Sequence, residues 1–255
     1  MFSAESSKSG DERCWQVPDG RRVYAIGDVH GRLDLLRELA DAIETHDSNC
    51  ASANSSVILL GDLVDRGPDS KGVINFVRDW QSRRDVRVLM GNHEEMMLAS
   101  LDDSEVLRYF LRFGGRETIL SYGYDAGALA TSGIEEIFAW LQDHFPADHR
   151  EWMHNLHRSI VEGDYLFVHA GIMPGIPIDQ QDERDLRWIR EPFLSHADLH
   201  PYMVVHGHTI EQEAVERPNR IGIDTGAYWQ GRLTALVLEG NQRRFFQAHG
   251  EPNRT

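Results

Sequence analysis

Three short apolar runs, each ending in a glycine-rich polar loop, constrain the fold of this chain more than any other feature of its sequence. The runs are residues 22–26, 57–60 and 86–90, and the loops that follow them read GDVHG, GDLVDRG and GNHE. Short runs rich in β-branched and apolar residues and bounded by glycine are typical of buried strands. Between the runs, apolar residues recur at helical spacing. This alternation predicts adjacent strands joined by crossover helices.

The rest of the chain divides into a helical part and a strand-rich part. Residues from about 95 to 158 have helical patterns, which predicts a helical insertion packed on one side of the sheet. After residue 159 we expect strands at 165–168, 203–205, 221–223, 233–238 and 243–248. Because no helical pattern separates them, they predict a second sheet, either mixed or antiparallel. Residues 1–20 are small and polar and are expected to form a disordered tail, which leaves residues 21–249 as a single domain.

Composition limits the classes of partner. The chain has 255 residues, of which 41% are hydrophobic, enough to bury a sizeable core. Its formal net charge of −15 argues against nucleic acid and anionic membranes as general partners. We find no secretory signal and no apolar stretch of the roughly 20 residues that a membrane span requires, so we expect a cytoplasmic protein. Cys14 and Cys50 permit one disulfide, but two free thiols are expected in that compartment.

Five loops that follow predicted strands carry side chains of the kind that bind metal ions. In chain order these are Asp28 and His30, Asp62, Asn92 and His93, His169, and His208. Ligands gather outside the carboxyl ends of strands in open α/β sheets, so we expect the five loops to converge. Carboxylate, imidazole and amide ligands suit divalent first-row metals. A two-metal site needs a bridging carboxylate. Asp62 is the candidate, because its loop lies between the GDVHG loop and the GNHE loop.

The motifs resemble a known signature. GDVHG (27–31), GDLVDRG (61–67) and GNHE (91–94) are similar to those of the phosphoprotein phosphatase family within the calcineurin-like metallophosphoesterases, and VHAG (168–171) and HGHT (206–209) resemble its later histidine motifs. The continuation at residues 95–97 is most similar to bacterial and bacteriophage-type serine/threonine protein phosphatases. The resemblance covers roughly residues 22–240. It implies an α/β fold, a four-layer αββα sandwich of two mixed β-sheets flanked by helices, with a helical insertion.

The resemblance also implies how metal ions would be held. The implied ligands are Asp28 and His30 for the first ion, Asp62 as the bridge, and Asn92, His169 and His208 for the second ion. His206 is expected to support the site rather than to bind a metal. Ile210 stands where the wider superfamily often has a further histidine, so the first ion should have fewer protein ligands. Manganese is the expected metal, and iron or zinc would also accept these ligands.

Four catalytic residues follow from the same resemblance. His93 would protonate the leaving oxygen, and Asp65 would orient His93. Arg66 would bind the phosphate oxygens, because a planar guanidinium suits bidentate contact. Arg190 is nominated as the second phosphate-binding arginine, which in the family lies between the two late histidines. The neighbouring alternatives are Arg184 and Arg187.

The implied reaction is hydrolysis of phosphate monoesters by a hydroxide that bridges two divalent metal ions. The expected substrate is phosphoserine or phosphothreonine in proteins, and the alternative is a bis(5'-nucleosyl)-tetraphosphate, because the DRGPDS run (65–70) occurs in both groups of enzymes. A catalytically dead metal-binding scaffold is disfavoured, because every motif position is filled. Residues 114–116 of the insertion are expected either to contact the substrate or to form a plain helix-ending turn. The sequence does not indicate an oligomeric state.

Overall fold

The computed structural model describes residues 14–252 of the chain. Ten strands lie within this part: β1 (Arg21–Ile26), β2 (Asn54–Leu59), β3 (Val86–Val88), β4 (Ile160–Glu162), β5 (Tyr165–Phe167), β6 (Met203–His206), β7 (Val215–Glu216), β8 (Arg220–Gly222), β9 (Arg232–Glu239) and β10 (Gln242–His249). The helices of the same part are α1 (Leu33–Asn49), α2 (Ser70–Gln81), α3 (Asn92–Ser100), α4 (Ser104–Phe110), α5 (Arg116–Tyr122), α6 (Ala126–Leu129), α7 (Ile134–His144), α8 (Ala147–His154), α9 (Glu183–Trp188) and α10 (Ala227–Gln230). A π-helical turn (Leu111–Gly115) joins α4 to α5, and a 3₁₀ turn (Ile178–Gln180) precedes α9.

The strands form two mixed sheets of five strands each. The first sheet has the order β10-β9-β1-β2-β3, and the second has the order β4-β5-β6-β8-β7. In the first sheet β1, β2 and β3 run parallel, and α1 and α2 provide the crossovers between them. In the second sheet β5, β6 and β8 run parallel. The predicted crossover arrangement is therefore confirmed, and β2 lies between the other two strands as expected.

Alternation of side chains along the strands builds four layers. Ala25 of β1 faces the second sheet and shares a buried cluster with Phe167, whereas Tyr24 faces the opposite way and packs with α1 and α2. On the far side of the second sheet, Leu166 packs against Leu186 of α9. Successive residues of a strand point to opposite faces, so each sheet buries both of its faces. The predicted four-layer sandwich of two mixed sheets is confirmed.

The predicted helical segment, residues 95–158, contains α4 to α8 and most of α3, and we call it the insertion. Its apolar core, in which Phe110, Ile119 and Leu141 are buried, also includes Val64 of the loop after β2 and Ile74 of α2. The chain returns to the first sheet through a bridge between Leu89 and His157. The insertion thus rests on the edge of the first sheet, directly after the loop that follows β3.

Two expectations from the sequence are corrected. β9 and β10 do not extend the second sheet but belong to the first, where β9 pairs with β1 and β10 pairs with β9. Their inward-facing residues complete the cluster between the sheets. The tail predicted for residues 1–20 lies outside the described residues for 1–13, but within residues 14–20 two side chains are buried. Trp15 is 5% exposed and Val17 1% exposed, and both belong to the cluster between the sheets. Burial of two large apolar side chains holds this segment in place.

Candidate metal centre and active site

The five loops that carry predicted ligands leave the carboxyl ends of β1, β2, β3, β5 and β6. Their backbone is unusual, because five residues take a positive φ although they are not glycine: His30 (47°), Asp62 (51°), Asp65 (73°), Arg66 (68°) and His208 (63°). These are all the non-glycine residues with positive φ in the described part of the chain, and all five are predicted site residues. Left-handed backbone is costly for such residues and is typical of sites where side chains must be aimed.

Two glycines let the loops approach closely. A Cβ atom at Gly91 would collide with Oδ1 of Asp62, and one at Gly207 would collide with Oδ1 of Asp28. A side chain at either position would push a carboxylate away from the centre. These glycines of the GNHE and HGHT motifs are therefore required by space at the site.

Asp62 lies at the middle of two groups of ligand atoms. Its Oδ2 atom is 3.6 Å from Nε2 of His30 and 3.9 Å from Nε2 of His93. Its Oδ1 atom is 3.4 Å from Nε2 of His169, on the other side. Each carboxylate oxygen thus faces a different set of imidazoles, which is the arrangement that a bridging ligand needs.

The second group is completed by the amide of Asn92. Its Oδ1 atom lies 2.9 Å from Nε2 of His169 and 2.8 Å from Nδ1 of His208. Together with Asp62, these residues converge oxygen and nitrogen atoms on one point, and the ligand atoms of Asp62, His169 and His208 all lie within 4.8 Å of one another. Carboxylate, amide and imidazole donors of this kind fit a divalent first-row cation.

The first group differs from the set expected for the first ion. The ligand atoms that meet within 4.8 Å are those of His30, Asp62 and His93, without Asp28. Oδ2 of Asp28 accepts the backbone N–H of His208 at 3.0 Å, and its Oδ1 atom is buried with no hydrogen-bond partner among the described residues. A buried carboxylate oxygen without a partner is costly. A cation beside Asp28 would satisfy it, so the residues fit the metal that the resemblance implies.

Backbone carbonyls fix the orientation of two ligand imidazoles. Nδ1 of His30 is 2.8 Å from the carbonyl oxygen of Val64, and Nδ1 of His169 is 2.8 Å from that of Leu60. Each Nδ1–H donates to its carbonyl, which leaves the lone pair of Nε2 directed at Asp62. Burial lowers the pKa of both imidazoles and lowers that of His208 to about 3. The three rings are therefore neutral at physiological pH, the form that binds metals.

His93 and Asp65 form a buried pair. Nδ1 of His93 lies 2.6 Å from Oδ2 of Asp65, and the side chains are 1% and 0% exposed. Burial alone would lower the pKa of His93, but the carboxylates of Asp62 and Asp65 outweigh it and the pKa is raised. A histidine held in this way keeps a proton available on Nε2, the atom that faces the pocket.

Arg66 reaches into the first group. Its Nη1 atom is 2.9 Å from Nε2 of His30, and its Nη2 atom is 2.9 Å from Nε2 of His93. An imidazole nitrogen has one lone pair and cannot accept from a guanidinium and bind a cation at once. Arg66 must therefore turn away from His30 when a metal ion binds there, and from His93 when Nε2 of that ring carries a proton. The ring of Tyr228, 4.8 Å from the guanidinium carbon, offers a cation–π surface beside it.

The arginines near α9 differ in their surroundings. Arg190 lines the pocket over Asp62 and His208. Arg187 is instead engaged in ion pairs, 2.9 Å from Glu95 and 3.1 Å from Glu183. Arg184 does not line this pocket. The geometry thus separates the nominated arginine from its neighbours.

Other predicted positions have local roles. His206 is buried and packs edge-on against Phe193 at 5.1 Å between ring centroids, apart from both ligand groups.

Gly114, in the segment 114–116, accepts the backbone N–H of Arg66 on its carbonyl oxygen at 2.9 Å. Its φ of +106° and its contact with the side chain of Arg66 leave no room for a Cβ atom. This segment thus supports Arg66 through its backbone.

A pocket of about 380 Å³ opens above the two groups. Three aromatic side chains on its wall form what we call the aromatic rim: Phe113, Trp188 and Tyr228. Trp188 is fixed by its indole N–H, which donates to Oε2 of Glu95 at 2.5 Å. Met96 and Ile210 complete the apolar part of the wall. The site therefore combines a polar floor of ligands with a flat apolar wall.

The sequence reasoning missed two buried acids. Asp224 follows β8 in an apolar-run-then-glycine pattern, the same signal that identified the other loops, and its carboxyl group reaches that of Asp28. Burial raises the pKa of Asp224 to about 6. Burial also raises the pKa of Asp28, and the nearby carboxylates of Asp224 and Asp62 raise it further. Glu94 of the GNHE motif accepts four backbone N–H groups, among them those of Asp62 and Leu63 at 2.8 and 2.7 Å. It fixes the loop that carries the bridging carboxylate.

Comparisons with a family model and with known proteins agree on one family. The model of the calcineurin-like phosphoesterase family matches residues 21–234. A serine/threonine-protein phosphatase 1 of Salmonella typhimurium is 27% identical over 88% of this chain and 95% of its own length. A symmetrical bis(5'-nucleosyl)-tetraphosphatase of Nitrosospira multiformis is 27% identical over 62% of this chain, and the match spans only 46% of that relative.

Solved structures share the fold. A crystal structure described as a putative diadenosine tetraphosphatase superposes with a TM-score of 0.65 at 22% identity, covering 90% of this chain and 95% of the other. At this identity the likeness concerns the fold alone. No helix within residues 14–252 has the length and apolar character needed to cross a bilayer.

Proposed function

Because this chain belongs to the calcineurin-like phosphoesterase family, and is therefore a metal-dependent phosphoester hydrolase, we propose that it removes phosphate from phosphoserine or phosphothreonine in proteins. The single observation that supports two-metal phosphoester hydrolysis most is the position of Asp62, with one oxygen facing each ligand group. The relative from Salmonella typhimurium, which matches over nearly its whole length, is named as a serine/threonine-protein phosphatase. We propose manganese as the metal, in a location inside the cell.

The proposed roles follow from where each side chain lies. Asp28 and His30 would hold the first divalent ion, Asp62 would bridge, and Asn92, His169 and His208 would hold the second. When bound, the two ions supply a hydroxide nucleophile at neutral pH and neutralise the phosphoryl oxygens.

The remaining steps belong to side chains of this chain. Arg66 and Arg190, which both line the pocket, bind the phosphoryl oxygens. His93 donates the proton of Nε2 to the leaving oxygen, while Asp65 holds the ring through Nδ1. Binding of phosphate gives Arg66 a partner in place of His30 and His93. No serine or cysteine nucleophile is required.

A paired assay tests the proposal. The manganese-loaded protein is given a phosphothreonine peptide and, separately, diadenosine tetraphosphate, and kcat/KM is measured for each. We expect the peptide to be the better substrate. A preference for the dinucleotide by tenfold or more would contradict the proposed substrate while leaving the metal chemistry in place.

A dinucleoside tetraphosphate is the second candidate because of the aromatic rim. Flat aromatic side chains beside a phosphate site suit the stacking of a base, and the relative from Nitrosospira multiformis is named for that activity. Trp188→Ala tests this, with Trp229→Ala as the control, since Trp229 is 64% exposed and does not line the pocket. If a base stacks on Trp188, its removal should raise KM for the dinucleotide about tenfold and leave the peptide unaffected. Equal effects on both substrates would exclude the rim as a base-binding surface.

A further inference from the structure

Two buried hydroxyl groups contact Asp65: that of Ser70, at the end of the DRGPDS run, and that of Thr118, which lies outside the family motifs. Thr118 lies in α5 of the insertion, and Ser70 is the first residue of α2. We propose that Thr118, supported by Ser70, is a positioning residue that the insertion supplies to the Asp65–His93 pair, so that the insertion directs proton donation to the leaving group. This inference rests on the proposed role of His93 as the general acid.

The contacts assign a separate partner to each oxygen of Asp65. The hydroxyl of Thr118 donates to Oδ1 at 2.6 Å, while Oδ2 is left to the ring of His93 at 2.6 Å. The backbone N–H of Asp65 in turn lies 2.9 Å from Oγ1 of Thr118 and 3.0 Å from Oγ of Ser70. Asp65 is thus held at its backbone and at one carboxylate oxygen, and only the other oxygen remains to orient His93.

Counting protons fixes the direction of this network. The single proton of the Thr118 hydroxyl is used on Asp65, so in the 2.9 Å contact between the two hydroxyls Ser70 must be the donor. Ser70 and Thr118 are both 0% exposed, as is Asp65. Loss of the Thr118 hydroxyl leaves Oδ1 of Asp65 short of a partner in a buried place, and loss of the Ser70 hydroxyl removes a donor to Thr118 and an acceptor for the backbone N–H of Asp65.

The insertion contacts the segment 65–71, which includes the end of the loop after β2 and the start of α2, at three points. Besides Thr118, the carbonyl oxygen of Gly114 accepts the backbone N–H of Arg66 at 2.9 Å. The hydroxyl of Ser121 accepts the backbone N–H of Lys71 at 3.1 Å. Asp65 and Arg66 both have positive φ, a conformation that the surroundings must enforce. The insertion therefore holds the backbone of both residues as well as the carboxylate.

The test separates protonation of the leaving group from the rest of catalysis. Thr118→Val removes the hydroxyl at nearly constant volume, and Thr118→Ser keeps a hydroxyl. Each variant is assayed, metal-loaded, on p-nitrophenyl phosphate, whose leaving group needs little protonation, and on phenyl phosphate, whose leaving group needs more. Ser100→Ala is the control, because that hydroxyl is also buried in the insertion but bonds only to the carbonyl oxygen of Met97.

We expect Thr118→Val to lower kcat on phenyl phosphate about tenfold, the size typical of losing one hydrogen bond to a charged group, and to change kcat on p-nitrophenyl phosphate much less. Thr118→Ser should restore most of the loss, and metal content by elemental analysis should stay constant. In an Asp65→Asn background Thr118→Val should have no further effect, because it acts through Asp65.

Several results would overturn the proposal. These are an equal loss on both esters, no loss on either, failure of Thr118→Ser to restore activity, or an undiminished effect in the Asp65→Asn background. If Thr118→Val does not fold, as judged by circular dichroism, Ser70→Ala takes its place, and we again expect a larger loss of kcat on phenyl phosphate than on p-nitrophenyl phosphate. If neither variant folds, the two hydroxyls serve folding alone and the proposal fails. Absence of turnover by the wild type on either ester would instead refute the proposed function.

Discussion

The ligand loops and the pocket wall meet at one site but are built in different ways. Each ligand leaves the carboxyl end of a strand in a short glycine-flanked loop, and its position follows from the sheet. The aromatic part of the wall consists of side chains from a π-helical turn, from the end of α9 and from α10, whose positions depend on how these irregular segments pack. We therefore expect the chemistry to depend on the loops at the strand ends and the choice of substrate to depend on the wall.

The largest effect expected from the ligand loops is that of Asp62→Asn. An amide in this place supplies one neutral oxygen where two anionic oxygens face two ligand groups, so both metal ions should bind weakly. Since metal ions contribute several kcal/mol to such reactions, we expect kcat/KM to fall by about 10³-fold or more, and elemental analysis should find less than one metal ion per chain. Full retention of both ions would show that Asp62 is not the bridge. Asp143→Asn, at an exposed acid of α7, is the control.

The next effect concerns His93, which belongs to the ligand loops by position and for which we propose proton donation to the leaving group. His93→Asn should lower kcat by about 10²–10⁴ on a substrate with a poor leaving group while the metal content stays unchanged. His154→Asn, at an exposed position of α8, provides the comparison. Near-wild-type turnover, or loss of metal equal to that of Asp62→Asn, would remove His93 from the role of general acid.

Arg190 tests a charged residue that lines the pocket beside the apolar wall. Its guanidinium lines the pocket, whereas Arg187 is occupied by Glu95 and Glu183. Loss of a charge-assisted contact to phosphate should cost about 10–100-fold in kcat/KM for Arg190→Ala, chiefly through KM. Arg187→Ala should cost less than that, by loosening the Glu95 carboxylate that also holds Trp188. The reverse order would move the phosphate-binding role to Arg187.

The same division explains what the sequence predicted. Asp28, Asp62 and Asn92 could be found because an apolar strand and its terminal loop are adjacent in the chain, and parallel strands bring such loops to one edge. Asp224 carries the same local signal and was overlooked. The pairing of β9 with β1 could not be predicted from periodicity. Alternation of apolar and polar residues indicates which side chains share a face of a strand, but it does not indicate which sheet the strand joins.

Thr118 and the aromatic rim had no local signal. Thr118 is 53 residues from Asp65 in sequence, and its contact with the carboxylate depends on how the whole insertion packs on α2. Phe113 reaches the pocket only because the π-helical turn ends α4 in a kink at Gly114. A threonine or phenylalanine within a helical pattern reads as ordinary core or surface until the tertiary contacts are known.

The smallest effect tests how protons compete with metal ions at the ligand loops. Burial raises the pKa of Asp28, and that of Asp224 to about 6, so below that pH the pair keeps a proton that a cation must displace. Metal affinity measured by calorimetry should therefore weaken as the pH falls through about 6, by up to about tenfold per pH unit for each proton displaced. Asp224→Asn removes the neighbouring carboxylate and so lowers the pKa of Asp28, which should move the onset of weakening to lower pH. An onset unchanged by Asp224→Asn would mean that the competing proton does not sit on the Asp28–Asp224 pair. The ligand histidines do not supply it near pH 6, because burial lowers their pKa.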